Sequence, residues 1–445
     1  MTDVLAHGIS GATDLPIPLS YALIGAAWAL TFSFAVLAFA WREPRLDPDS
    51  PGAALPRSAR AVIDSSPTRS LFAAAGLIGA VGVVAVGFAG SQDPAENPAP
   101  GIVYIFIWVG VPVVSLVVGP VWKMVSPTRA LHRLLCRASG RAPGEGTFRY
   151  PESWGNRPAA VGLFSFVWLE LAFPEPGSVF AVTTWFTGYL LVNTAGLIAF
   201  GTVWAERGDP LEVYSSLLAR LSPLARGRDR TLVLRWPLNN LAGTPALLGS
   251  VAVAANLLGS TAFDSFSMFT SWRDLLVEAG GDSTLIATLL RTAGLLGFIA
   301  VVGGVFILAT RATGGLTHEK RSSLPIQLAH SLTPIVAGYI IAHYLTFLVE
   351  KGQATLILCA DPFQRGWNIA GLADLDVQYV LSNHPSVLAT IKVLAVLVGH
   401  ILGVAAAHDR CLRLLPPRHR LTGQLALMLT MVGFTFTGLY LLFEA

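Results

Sequence analysis

The chain has 445 residues, 53% of them hydrophobic and only 13% charged, with a mean hydropathy of +0.59. Soluble domains average about 25% charged residues, so the composition excludes an ordinary soluble enzyme and predicts an all-α integral membrane protein. Net charge is near balance at +3, and Cys136, Cys359 and Cys411 form no CxxC or CxxCH spacing, which leaves zinc knuckles, redox pairs, c-type haem attachment and disulfides without a signal.

A hydrocarbon core about 30 Å thick needs about 20 mainly apolar residues per helix. Windows of that kind lie at 19–41, 70–90, 101–121, 159–174, 178–203, 242–262, 283–310, 325–349, 386–407 and 421–442, so a single transmembrane domain over 1–445, a polytopic bundle of about ten helices, is expected. The opening MTDVLAHGISGATDLPIP has neither a basic n-region nor a small-residue cleavage site, so the first window is expected to stay as a span. The connections 42–69, 122–158, 204–241, 311–324 and 408–420 hold 5, 7, 6, 3 and 4 Lys plus Arg, 25 of the 30 in the chain. Because basic loops stay inside, both termini are expected outside, in a multi-pass protein of the cell membrane.

Within the third basic connection, PLEVYSSLLARLSPLARGRDRTLVLRW places Leu211, Val213, Leu217, Leu218 and Leu221 among Arg220, Arg226, Arg228 and Arg230. It is expected to rest on the bilayer surface with its arginines on anionic headgroups, with no nucleic acid as partner. The outward segment 350–385, which mixes Phe363, Trp367 and Tyr379 with acids, is expected to be the longest external loop.

Polar residues inside the spans carry the functional question, because ionisable groups in a bilayer are costly. In AHSLTPIVAGYIIAHYLTFLVEKG, His330 and His343 stand thirteen residues apart, about 20 Å along a helix and about 220° around it. They therefore belong to two layers, with Pro334 between them expected to kink the helix. Tyr339, His343, Thr346 and Glu350 fall on one face, and Glu170, Asp264 and Arg291 reach the same outer depth, with His7 and His384 within reach from the loops. The inner layer holds His330 and His400, with His408 and Asp409 at the boundary, and Gly399 and Gly403 form a GxxxG for close helix approach.

Several chemistries fit these layers. Imidazoles and acids could simply satisfy one another, His330 on a neighbouring carbonyl and Asp264 on Arg291. A divalent transition-metal ion could take His343, Glu170 and Asp264 as ligands, neutral imidazole with carboxylates being a suitable donor set. Haem b would pair His330 with His400 and His343 with His384. A proton-coupled carrier of a small solute would exchange protons at His343, Glu350 and Asp264 beside Lys392. The chain could also be a structural subunit held by other proteins. No P-loop, GxGxxG after a strand, HExxH or GxSxG is present, so nothing supports an ATP-driven pump.

The stretches AHGISGATDLPIP, LGSTAFDSF, AHSLTPIVAGYIIAHYLTFLVEKGQ and GHILGVAAAHDR resemble a family of bacterial multi-pass membrane proteins often labelled fenitrothion hydrolase, over most of the chain. Taken literally, the resemblance implies a phosphotriesterase for a lipid-soluble ester, in which a metal-activated water attacks phosphorus with His343, Glu170 and Asp264 as ligands or base.

Overall fold

A computed structural model of the chain describes residues 14–227, 229–281, 283–313, 316–420 and 422–444; His7 and Arg228 lie outside them. The fold is 74% helical, with three short strands among the described residues. Seven described helices are long and apolar enough to cross a membrane: Leu19–Ala40, Ser66–Ala89, Pro98–Val118, Thr284–Arg311, His318–Leu358, Pro385–Leu414 and Thr422–Glu444. Helices also form at the three remaining expected windows, outside that set. Arg157–Leu171 has only 15 residues, Val179–Phe200 carries Asn193 and four threonines, and Ser250–Ser267 carries Asn256 and Asp264.

Where the hydropathy profile shows one unbroken series of spans, the chain folds as two compact units. The described residues of the first are Pro51–Pro237 and Thr346–Tyr379; the second holds the described part of His7–Ser50 with Leu238–Leu345 and Val380–Ala445.

In the first unit, helix Ser66–Ala89 starts at Ser65, whose hydroxyl accepts from the Thr68 amide, and packs so closely on the turn Trp122–Val125 that a Cβ on Gly76 would stand 1.7 Å from the Val125 carbonyl. Asn97 then turns the chain, its amide donating to the carbonyls of Val86 (3.0 Å) and Ser91 (2.7 Å) while its oxygen caps Ala99 (2.9 Å). Pro112, which has no N–H to offer, follows the π-helical turns at Ile102–Gly110.

The basic connection departs from expectation. Helix Pro210–Leu218 lies inside the unit, with Leu211, Val213 and Leu218 at 3%, 6% and 0% exposure, and not on the bilayer surface. The chain beyond it forms an antiparallel sheet in the order Ala53–Ala54, Leu232–Leu234, Leu224–Arg226, where Arg226 pairs with Asp64 at 2.6 Å. An amphipathic sequence shows that one face is covered without saying by what; here protein covers it. The expected external loop is also partly helical, since Gly352–Leu358 continues the helical run before the chain becomes irregular.

The second unit is centred on Leu23, Ala26, Ala342, Ala389, Val396, Leu439, Leu442 and Phe443. Its helices meet through small residues. A Cβ on Gly259 would lie 2.7 Å from the Ile299 Cα, and one on Gly338 would lie 2.4 Å from the Ala395 carbonyl. Such contacts let backbones approach. Trp28, Phe32, Leu289 and Leu308 point outward instead, each at least 59% exposed, as lipid-facing side chains of a spanning helix do.

Candidate functional site

The helical run that carries the histidines is broken, but not at Pro334. Helix His318–Leu328 passes into a 3-10 turn at Ala329–Leu332, and a new helix begins at Thr333. Pro334 therefore occupies a first-turn position, where its missing N–H is not needed, and the break falls on His330 itself.

Asp264 lies near the end of helix Ser250–Ser267, which buries 13 of its 18 residues. Its neighbour across the second unit is His343, with Nε2 and Oδ2 2.7 Å apart and side-chain exposures of 9% and 6%. The ring of His343 also meets Tyr344 edge-on, 4.7 Å between centroids. A carboxylate at this distance holds one ring nitrogen as the N–H donor in the neutral tautomer and as one pole of an ion pair when the imidazole is protonated. Asp264 thus takes His343 as its partner, where pairing with Arg291 was one expectation.

His343 borders a 70 Å³ cavity, lined also by Thr261, Ser265, Tyr339, Thr437 and apolar side chains. One water needs about 10–15 Å³ of such space, so the cavity has room for a few waters or a very small solute. Tyr339, expected beside His343, does line it, and donates its hydroxyl to the Phe434 carbonyl (3.1 Å).

Of the other candidates, Glu170 and Glu350 fall in the first unit, the latter buried at 5%. The charge of Glu170 adds to burial, the larger cause, in pushing the Tyr214 hydroxyl above its ordinary range, which places Glu170 near an aromatic cluster of Tyr214, Trp108 and Phe166. His330, 4% exposed, turns Nδ1 to the Gln327 carbonyl at 3.1 Å, the carbonyl contact that a structural role calls for. His400 is fully buried, holds the Val396 carbonyl through Nδ1 at 2.9 Å and faces the Tyr339 ring at 5.8 Å; its Nε2 has no hydrogen-bond partner among the described residues. His384 is exposed and bonds Val380 at 2.8 Å. Among the described residues, no three His, Cys, Asp or Glu side chains form a group able to hold a metal ion.

Two further polar clusters form, one around His408 and Asp409, which the sequence places at the inner boundary without partners, and one around Asp209 and Glu212, which it does not single out. In the second unit, the Asp409 carboxylate accepts from Trp41 Nε1 (3.1 Å) and the amides of Arg45 (2.6 Å) and Leu46 (3.1 Å), while His408 bridges Gln424 and the Trp41 carbonyl, both at 2.9 Å. These bonds anchor the chain leaving helix Leu19–Ala40. In the first unit, Asp209 caps the amides of Leu211 (3.0 Å) and Glu212 (3.1 Å) and accepts the Tyr189 hydroxyl at 2.9 Å. Glu212, fully buried, takes Arg129 in a two-pronged bond, Nη2 to Oε1 at 2.6 Å, with Lys123 3.9 Å away. Burial above all, and then the Glu212 charge, raise the Asp209 carboxyl to about 7 against the bonds that favour its ionised form. Burial pulls the Arg129 guanidinium down, but the bond and charge of Glu212 outweigh it and leave the net shift upward. The D-P-L-E run at 209–212 is a helix start, with an acidic cap, proline at the first position and glutamate at the third. That signal would have found this cluster.

Comparison with protein-family models, with curated proteins and with solved structures gave no match to this chain.

Proposed function

We propose that this chain is a ten-span protein of the cell membrane, with both termini outside, in which His343 and Asp264 form a proton-exchange centre that serves binding or passage of a small solute. The observation that carries the reading is the 2.7 Å imidazole–carboxylate contact, buried within apolar helices, with the imidazole lining a small, partly open cavity. Intramembrane ionisable groups of this kind mark ion and proton paths. Twenty-five of 30 basic residues on alternate connections support the topology. A divalent metal ion is the less favoured occupant, because the pair offers two ligands where a catalytic zinc commonly has three from protein.

The test is an infrared pH titration of purified protein in lipid vesicles. Coupled carboxyl and imidazole bands should titrate in the wild type and vanish in both Asp264→Asn and His343→Gln. A spectrum with no titrating band assignable to either residue defeats the reading. Elemental analysis of the same samples tests the metal alternative, through a stoichiometric ion lost in His343→Ala.

The same geometry favours one second reading. An imidazole oriented by a carboxylate is also a general base, and water in the adjoining cavity could then attack an apolar phosphotriester, as the resemblance to proteins labelled fenitrothion hydrolase implies. A nitrophenyl phosphotriester separates the two, since hydrolysis releases product in detergent without any gradient whereas a carrier does not.

A further inference from the structure

We propose that the first unit binds one membrane phospholipid, an acyl chain lying in the aromatic cleft between helices Arg157–Leu171 and Val179–Phe200 and the phosphate resting on Arg157. This site is independent of the His343–Asp264 pair. The cleft measures 710 Å³, inside the range of about 300–1,000 Å³ typical of small-molecule sites. Val161 and Val192 stand at its rim, 69% and 60% exposed, so it opens on a surface whose side chains suit acyl chains better than water.

Its walls are mostly apolar, and the few polar groups among them, Arg157 apart, are already spent on one another. Trp185 gives its indole N–H to the Ser165 hydroxyl (3.2 Å), which in turn donates to the Gly162 carbonyl (2.7 Å). Trp204 gives its own to Asn193 (3.0 Å), whose amide is spent on the Tyr189 carbonyl (2.9 Å), and the Tyr189 hydroxyl goes to Asp209. A polar solute would have to break these bonds to be held, whereas a hydrocarbon chain meets ring faces and methyl groups and leaves them intact. Gly188 lines the cleft, and a Cβ there would meet nothing within 4 Å, so a larger side chain at this position has room to enter it.

The headgroup assignment follows from charge. Arg157 lines the cleft, is exposed, and its guanidinium makes no hydrogen bond or ion pair among the described residues. It opens its helix on the side where basic residues concentrate, at the depth at which tryptophans such as Trp154 and Trp204 settle beside headgroups. A guanidinium grips phosphate through two parallel bonds.

Native mass spectrometry of protein washed in detergent and then offered vesicles of phosphatidylglycerol or of phosphatidylcholine tests the site. Wild type should keep one phospholipid per chain and prefer phosphatidylglycerol, whose headgroup carries a net negative charge, to zwitterionic phosphatidylcholine, whose choline cation opposes the Arg157 guanidinium. Gly188→Leu, whose Cβ meets nothing within 4 Å and whose side chain obstructs the cleft, should keep at least tenfold less while retaining its helical circular dichroism and single-species elution. Arg157→Gln, a surface change that leaves packing untouched, should lose the preference for phosphatidylglycerol. Equal retention by wild type and Gly188→Leu, no retention by wild type, or a retained molecule that carries no phosphate would each overturn the proposal. An unchanged preference in Arg157→Gln would overturn the placement of the phosphate.

Discussion

Replacing Arg129 by methionine isolates the contact that holds helix Pro210–Leu218 inside the first unit. Glu212 has no exposure to solvent, and its carboxylate is matched by two bonds from Arg129 and by the Lys123 ammonium at 3.9 Å. Removing one partner of such a pair leaves a buried charge and costs about 3–5 kcal/mol. Lys123 stays 3.9 Å from the carboxylate and offsets part of the stranded charge, although at 39% exposure water screens it, so a loss near the lower end, about 3 kcal/mol, is expected. The double variant Arg129→Met with Glu212→Leu removes both charges and should recover most of that loss, since replacing a buried pair by apolar residues is often neutral or stabilising by about 1–4 kcal/mol. Chemical unfolding in detergent, followed by circular dichroism for wild type, both single variants and the double, closes the cycle. The expectation is a coupling of at least about 2 kcal/mol. If the loss in the double variant equals the sum of the two single losses, the pair is not coupled and this account of the helix is wrong.

Asp209 predicts a pH dependence. Its carboxyl is raised to about 7 in the folded protein against about 3.9 in an unfolded chain, so folding favours the protonated form. The stability it contributes is full below about pH 4 and lost as pH rises towards 7, at most about 4 kcal/mol at about 1.4 kcal/mol per unit. Asp209→Asn keeps the cap and should flatten that part of the profile of apparent melting temperature against pH; an unchanged profile argues against the assignment. Gly76→Ala should disrupt the first unit, because its Cβ would fall 1.7 Å from a main-chain oxygen. By contrast, Gly79→Ala, three residues on with nothing within 4 Å, should stabilise the same helix by about 0.5–1 kcal/mol. Comparable expression and melting of these two variants would contradict the packing described. Asp409→Ala strands three donors, Trp41 Nε1 and the amides of Arg45 and Leu46, and should cost about 2–4 kcal/mol with earlier proteolysis after Ala40. Resistance to protease equal to wild type would count against an anchoring role.

What could be read in advance follows physical scale. Each apolar window reports on its own residues, so helix and membrane class were legible from composition alone, and helices do form at the expected windows. Depth was legible too, because it is counted along the chain from each span edge; it put Asp264 and His343 at one level. Partner choice was not. Asp264 could have met Arg291 or His343, and rotation of helix Ser250–Ser267 on its own axis decides between them. That rotation is set by where Gly259 lets Ile299 approach, a contact between residues forty positions apart.

The run at 210–221 illustrates the same limit. Its amphipathic pattern was real, yet Leu211 and Leu218 pack inside protein, because Asp209 and Glu212 are anchored by Tyr189 and Arg129 from other helices. By itself, then, the amino-acid order determined a helical membrane chain with an excess of basic residues on alternate connections, because hydropathy and charge act residue by residue against lipid and water. Only the tertiary structure decided that His343 belongs with Asp264, that Glu212 belongs with Arg129, and that a cleft stays open beside Gly188. Those facts depend on which helix faces meet, and small side chains far apart in sequence set that approach.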